Sequence, residues 1–236
     1  MSSLGPDKLM YLRHSLKTLH RELGGVLRVG TACSGCDMVV LIVRITFGVL
    51  QDKFGITFRC QHSFSAEHIE WKRRFIEGHI PEPPDMLVGA VEDLTKDEAK
   101  YLLTQQHKLV PKVESFFAGF ECDSLSSLNS SAKENRGKLA QGQHRSGSTF
   151  LACLGYLTKH RPLSFFFENV KMLSASPTKA GPSDLEVVLD SCAKLGYCIH
   201  EQVLKAWEFG AAQHRERYFI FGMACFRQAY PEGGEC

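Results

Sequence analysis

No apolar run in this 236-residue chain approaches the ~20 residues needed to span a bilayer. The N-terminus also lacks the charged-then-apolar pattern of a secretory leader. Both absences lead to the expectation of an intracellular, soluble protein with no membrane partner. Strong charge of one sign is missing too, since 28 Lys and Arg face 26 Asp and Glu for a net +2. That balance neither demands nor excludes nucleic acid, since a basic cleft can sit on a near-neutral surface. Cys33-Ser34-Gly35-Cys36 has redox or zinc spacing, but a second Cys-x-x-Cys or a matching Cys/His pair is lacking, so no metal centre is expected. Nine cysteines without a leader read as thiols rather than as a disulfide framework. No internal repeat is visible.

What is present is ordinary globular material, 44% hydrophobic and 23% charged, enough for one substantial α/β domain. Residues 7–23 predict an amphipathic helix stopped by Gly24-Gly25. Strands are expected over 26–32, 57–64, 86–88, 113–118, 163–167, 197–205 and 218–223. Helices are expected over 38–50, where Asp37 would cap the start, and over 66–77, 96–104, 150–158 and 184–195. The polar stretch 124–147 predicts a mobile loop, and 174–182 a second loop. Alternation of strand and helix argues for a parallel sheet with helices on both faces, and ligands bind beyond the carboxyl ends of such strands.

Several chemistry-bearing groups fall at those ends. The turn at Cys33 could present backbone amides to a nucleoside-type ligand, or could simply connect two elements. Glu67, after the second strand, suits ribose hydroxyls, or equally the first turn of a helix. Cys122 is a loop thiol between Glu121 and Asp123, whose charges oppose thiolate formation; core packing is the commoner fate of a cysteine. Glu168 follows three phenylalanines, where desolvation would let it donate a proton near neutral pH; a plain strand-end carboxylate is the bland alternative. Gln213, Arg215 and Arg217 alternate and would share one face of an extended segment, able to hold a carbonyl, carboxylate or phosphate, or merely to solubilise an edge strand.

In series, these segments resemble the cytosine-5 methyltransferases over about residues 26 to 222. Gly119-Phe120-Glu121-Cys122 matches the loop of the family's nucleophile, Glu168-Asn169-Val170 its Glu-Asn-Val motif, and Gln213-His214-Arg215-Glu216-Arg217 its Gln-x-Arg-x-Arg motif. The resemblance implies a Rossmann-like, doubly wound, mostly parallel methyltransferase sheet without a complete target-recognition domain. It implies a helix over 1–24, a catalytic domain over 25–225 and a short tail over 226–236. It further implies S-adenosyl-L-methionine as cofactor, held by Ala32, Cys33, Ser34, Gly35, Cys36, Glu67, Asp93 and Phe120. Catalysis would fall to Cys122, Glu168, Asn169, Gln213, Arg215 and Arg217, with cytosine in DNA as substrate, or in tRNA in one branch of the family. In the implied mechanism a thiolate adds at carbon 6 and activates carbon 5, Glu168 stabilises the ring at nitrogen 3 and Arg215 holds its carbonyl. A base in duplex DNA must first flip out of the stack. A DNA substrate would place a eukaryotic member in the nucleus, and the oligomeric state is left open.

The chain departs from the family pattern at particular positions. Glu121 replaces the proline before the nucleophile, and Ala212 the proline before Gln213. Cys33 stands where an aromatic residue backs the adenine, and Asp37 where a glycine is usual. Ala90 replaces an acid after the third strand, with Asp93 three residues on. The target-reading region and the closing Gly-Asn-Ser motif have no counterpart, although the N-terminal helix could occupy the vacant place on the sheet. These departures imply a truncated, divergent member, and a weakly active or inactive cofactor- or partner-binding relative is the alternative.

Overall fold

The computed structural model describes residues 5–125, 129–177 and 181–225, so residues 1–4 and the expected tail over 226–236 lie outside it. Helix α1 (Pro6–Glu22) starts with a proline at its first positions and Asp7 in its first turn, and has His20 and Arg21 in its last, matching the helix dipole. Its contact with the sheet domain is at its C-terminal turn, where His20 Nε2 lies 3.1 Å from the Thr57 carbonyl and its ring meets Phe58 edge-on. Leu9, Met10 and Tyr11 stay exposed.

Strand β1 (Val26–Ala32) has the predicted limits. Helix α2 (Met38–Phe54) runs a turn beyond the expected 38–50, because Gly55 at φ 68° supplies a left-handed stop and donates to the Gln51 carbonyl. Strand β2 (Arg59–Ala66) extends to Ala66, which pairs with both Ala32 and Val88. Helix α3 (Glu70–His79) therefore starts later than the expected residue 66. Next come β3 (Leu87–Val88), a 3-10 turn over Val91–Thr95, and an antiparallel pair, β4 (Glu98–Lys100) and β5 (His107–Leu109). The pair replaces the helix expected over 96–104. Only Ala99 and Tyr101 are buried in that stretch, a period of two that suits a strand and cannot form a helical stripe.

The chain continues through β6 (Ser115–Ala118), α4 (Ala132–Asn135), α5 (Arg145–His160), β7 (Ser164–Val170), α6 (Asp184–Lys194), β8 (Tyr197–Lys205) and β9 (Glu216–Ala224). Helix α6 opens with a reciprocal capping box between Ser183 and Glu186. The main sheet has the order β3-β2-β1-β6-β7-β9-β8. Its first five strands run parallel, while β9 is antiparallel to both β7 and β8. Helix α2 covers one face through Val40, against Val29 and Cys60. Helix α5 covers the other, its Tyr156 ring 4.6 Å from Phe116 and 5.2 Å from Phe64. Gly30 has no alternative in β1, since a Cβ there would lie 2.2 Å from the Phe64 ring. On the α2 side, Phe166 stacks on Phe117 and leans on Phe221, and Phe166, Phe219 and Met223 remain exposed. α1 does not fill that place. Among the described residues no helix is long and apolar enough to cross a membrane.

The antiparallel end corrects the cysteine reading: Cys198 and Cys225 form a disulfide, with Cα atoms 5.9 Å apart. Six other described cysteines are free. The stretch expected to be a mobile loop over 124–147 is also tied down where it is described. Asp184, 1% exposed, accepts the N–H groups of Gly137 and Leu139 at 2.9 Å each. Replacing Asp184 with alanine leaves both donors without an acceptor and should cost about 2–4 kcal/mol in urea unfolding. Asp184→Asn, which keeps one acceptor oxygen, should lose less.

Candidate active site

The register of the parallel strands places four consecutive positions in a row. Ala32 pairs with Ala66 and with Ala118, and Ala118 pairs with Phe167. The residues that follow are Cys33, Glu67, Gly119 and Glu168, so the Cys33 turn, Glu67 and the Cys122 loop leave the sheet side by side, next to Glu168 within β7.

At β1, Ala32 is buried and accepts from the Gly119 N–H, while Cys33 donates to the Ala66 carbonyl. Cys33, Gly35 and Asp37 all have left-handed φ, of 51°, 69° and 53°. Only Gly35 takes that conformation without steric cost. Asp37 occupies the position before α2, but its side chain does not cap the helix as expected. The carboxylate turns inward, accepting the Ser34 hydroxyl and lying 3.7 Å from His62 Nε2, with Thr31 Oγ1 3.4 Å from the same nitrogen. Cys36, half-buried, completes the turn. Burial pushes His62 below its ordinary 6.5 against the attraction of Asp37. The native state thus takes up this proton at lower pH than the unfolded chain, so stability is full above 6.5 and falls as the pH drops towards the native value. Urea unfolding between neutral pH and about pH 5 should show that loss, and His62→Gln should flatten the slope.

Glu67 is 2% exposed. Its Oε1 accepts the Ile69 N–H at 2.9 Å, so it caps the turn before α3 rather than lying inside a helix, and Oε2 faces Lys72 at 4.0 Å. His68 Nδ1 lies 3.4 Å from Glu67 Oε1 and 3.6 Å from Glu121 Oε1, and Arg145 Nε lies 3.6 Å from that Glu121 oxygen. Burial, with the charges of Glu121, Glu67 and Glu92, pushes the Cys33 thiol up to about 12. After β3, Asp93 is bound to Lys96 at 2.6 Å, while Glu92 is the acid whose charge bears on Cys33.

The loop that carries Cys122 is anchored from behind. Phe120 is buried among Phe150 and Phe167, so its ring belongs to the core and only its backbone is left for a ligand. The Glu121 N–H donates to Thr149 Oγ1, and the buried Asn169 amide donates to the Phe120 carbonyl at 2.9 Å. Burial pushes the half-buried Cys122 thiol up; Asp123 and Glu168 add to this, Arg217 opposes it, and Glu121 adds again. Glu168 lies within β7, not beyond it, because pairing with β9 continues to Val170. Its carboxylate is a third exposed and meets two guanidinium groups, Arg217 Nε at 3.1 Å and Arg215 Nη2 at 3.3 Å, in place of the apolar mouth expected from its phenylalanines. A cleft of about 230 Å³ adjoins the trio, walled by Leu204, Phe209 and Phe219. Gln213 lies outside β9 in an exposed turn and accepts the Arg215 N–H through its carbonyl. At Gly119 a Cβ would sit 3.2 Å from the Cys33 carbonyl and 3.6 Å from Glu168 Oε2, so turn and acid converge there.

The profile of C-5 cytosine-specific DNA methylases matches residues 86–230, more than half of the chain. The chain belongs to that family. The matched span includes Cys122, Glu168, Asn169, Gln213, Arg215 and Arg217, while the Cys33 turn and Glu67 precede it. Among curated methylases, DNA (cytosine-5-)-methyltransferase DMT5 of Cryptococcus neoformans is 29% identical over 70% of this chain and 7% of its own length. Type II methyltransferase M.HaeII of Haemophilus aegyptius is 27% identical over 70% of this chain and 44% of its own. The fold is shared with a Spodoptera frugiperda DNMT2 mutant (TM-score 0.55, 13% identity, 89% of this chain and 53% of that one) and with S. pombe Dnmt2 methyltransferase (0.51, 14%, 89% and 52%). The chain thus spans about half or less of the relatives it matches.

His68, Arg145, Thr149 and His62 were not legible as site residues, since each acquires its role from a partner distant in sequence. Arg217 is the cation that favours the Cys122 thiolate. Arg217→Ala should move the pH midpoint of Cys122 alkylation by iodoacetamide upward and slow it roughly threefold at neutral pH, read by peptide mass spectrometry.

Proposed function

We propose that this chain is the catalytic core of a DNA cytosine-5 methyltransferase that uses S-adenosyl-L-methionine. The observation that carries the reading is the meeting at Gly119 of the Cys33 turn with Glu168, the acid clamped by Arg215 and Arg217. The residues present fit the cofactor. A buried carboxylate with one oxygen committed to a backbone N–H stands at the end of β2, beside a left-handed turn at the end of β1. Cys33, Ser34, Gly35, Cys36 and Glu67 would hold the nucleoside part, with Ala32 and the Phe120 backbone behind, and Glu92 or Asp93 at the adenine side. When bound, the cofactor supplies an electrophilic methyl group.

The chain's own groups do the rest. After losing its proton to solvent, Cys122 Sγ adds to carbon 6 of the cytosine ring and makes carbon 5 the nucleophile that would accept the methyl group. Elimination then releases the carbon 5 proton to water and the thiolate from carbon 6. Glu168 holds ring nitrogen 3 and the amino group, and Arg215 the ring carbonyl, with Arg217 keeping Glu168 in place. Asn169 acts through the loop it anchors, and Gln213 through the turn that carries Arg215. A DNA substrate would place a eukaryotic member in the nucleus.

A second reading is a weakly active relative that retains cofactor or partner binding. It is favoured by the elevated Cys122 thiol and by Glu121 in the place of proline. DNA and tRNA carrying 5-fluorocytosine, which blocks the last elimination, decide between these readings. Intact mass should show a Cys122-dependent adduct on DNA in the presence of cofactor, lost in Cys122→Ala. An adduct on tRNA alone would change the substrate, and none on either, with S-adenosylhomocysteine bound in calorimetry, would favour the weakly active relative.

A further inference from the structure

The residue before the nucleophile is an acid in this chain, and the structure gives that acid partners. Glu121 Oε1 lies 3.6 Å from His68 Nδ1 and 3.6 Å from Arg145 Nε. The same His68 nitrogen is 3.4 Å from Glu67 Oε1. Nδ1 lies between two carboxylates, and a proton on it can be donated to only one of them at a time. Glu67 Oε1 already accepts the Ile69 N–H, and Glu67 ends β2 beside the cofactor turn. Glu121 precedes Cys122. His68 therefore stands between the end of the strand that would grip a ribose and the loop that carries the nucleophile.

We propose that His68 is a positioning residue that couples Glu67 to the Cys122 loop, its Nδ1 proton turning to Glu121 whenever Glu67 is engaged elsewhere. The role of a cofactor hydroxyl as that engagement rests on the methyltransferase reading; the coupling between the two acids does not. With Glu67 satisfied by a ligand hydroxyl, His68 shields the Glu121 charge, and the loop carries less negative field beside the thiol. The groups that face Cys122 are Asp123, Glu168, Arg217 and Glu121; those that face the acid pair are His68, Lys72, Arg145 and the Cys33 thiol. Asp123 and Glu168 bear on Cys122 more strongly than Glu121 does, so the coupling is a modest bias. Its use is to make the nucleophile more reactive after the methyl donor has arrived than before.

The test is a double-substitution cycle read by the pH midpoint of Cys122 alkylation, resolved by peptide mass spectrometry, on the wild type, Glu67→Gln, His68→Ala and the double variant. Glu67→Gln should lower the midpoint by about 0.3 of a pH unit, roughly a twofold gain in thiolate, and His68→Ala should abolish that difference. A Glu67→Gln effect of the same size with and without His68 would be direct Coulombic repulsion and would overturn the coupling, as would no effect at all. His68→Leu serves the same comparison should the alanine variant not fold. Saturating S-adenosylhomocysteine should reproduce the Glu67→Gln shift in the wild type and not in His68→Ala. Absence of binding heat would remove the cofactor reading while the cycle still decides the coupling.

Discussion

Everything at the site depends on one alignment of backbone hydrogen bonds. Three parallel strands, β2, β1 and β6, end in register at Ala66, Ala32 and Ala118, beside Phe167 of the longer β7, so that the next residue of each lies on a common line with Glu168. A slip of one residue in any pairing would send that side chain to the opposite face. Small residues at three of the four positions keep the line tight, and Gly119 lets the turn and the acid approach within contact distance. The chemistry is thus a property of sheet register before it is a property of any side chain.

The charges around that line are arranged as a chain of shared partners. Two guanidinium groups meet one oxygen of Glu168, and one imidazole nitrogen lies between Glu67 and Glu121. Where a proline would bring no charge next to Cys122, this chain has an acid, with Arg145 Nε and His68 Nδ1 each 3.6 Å from it. Asn169 and Thr149 then fix the loop's backbone by bonds to the Phe120 carbonyl and the Glu121 N–H. The loop is held by electrostatics and amide bonds together.

Much of the fold was legible because the apolar runs of β1 and β7 and the stripes of α1 and α6 are local signals. The segment 96–104 misled, since its charges fit a helix surface and its burial of Ala99 and Tyr101 alone emerges only beside β5. The thiols of Cys198 and Cys225 look unrelated until β8 and β9 lie together. At the site, residue types in order named Cys122, Glu168 and the arginines, but sequence cannot say that both guanidinium groups meet one oxygen of Glu168. His68 follows Glu67 directly and Arg145 lies in a His-Arg pair, yet both acquire a role only through Glu121, which is distant from each in sequence.

The antiparallel placement of β9 has a bearing on how the molecule assembles. β8 and β9 are joined by residues 206–215, which open with a 3-10 turn over Ala206–Phe209, and pair along their whole length, a local contact. The row of β2, β1, β6 and β7 is built from strands distant in sequence, and such pairings form late because loop closure must precede them. The arginines are therefore carried on a piece that can pre-assemble, and the acid they clamp arrives with the slow, long-range part of the sheet. Completion of the Glu168 cluster would then report the last docking event of folding rather than the first.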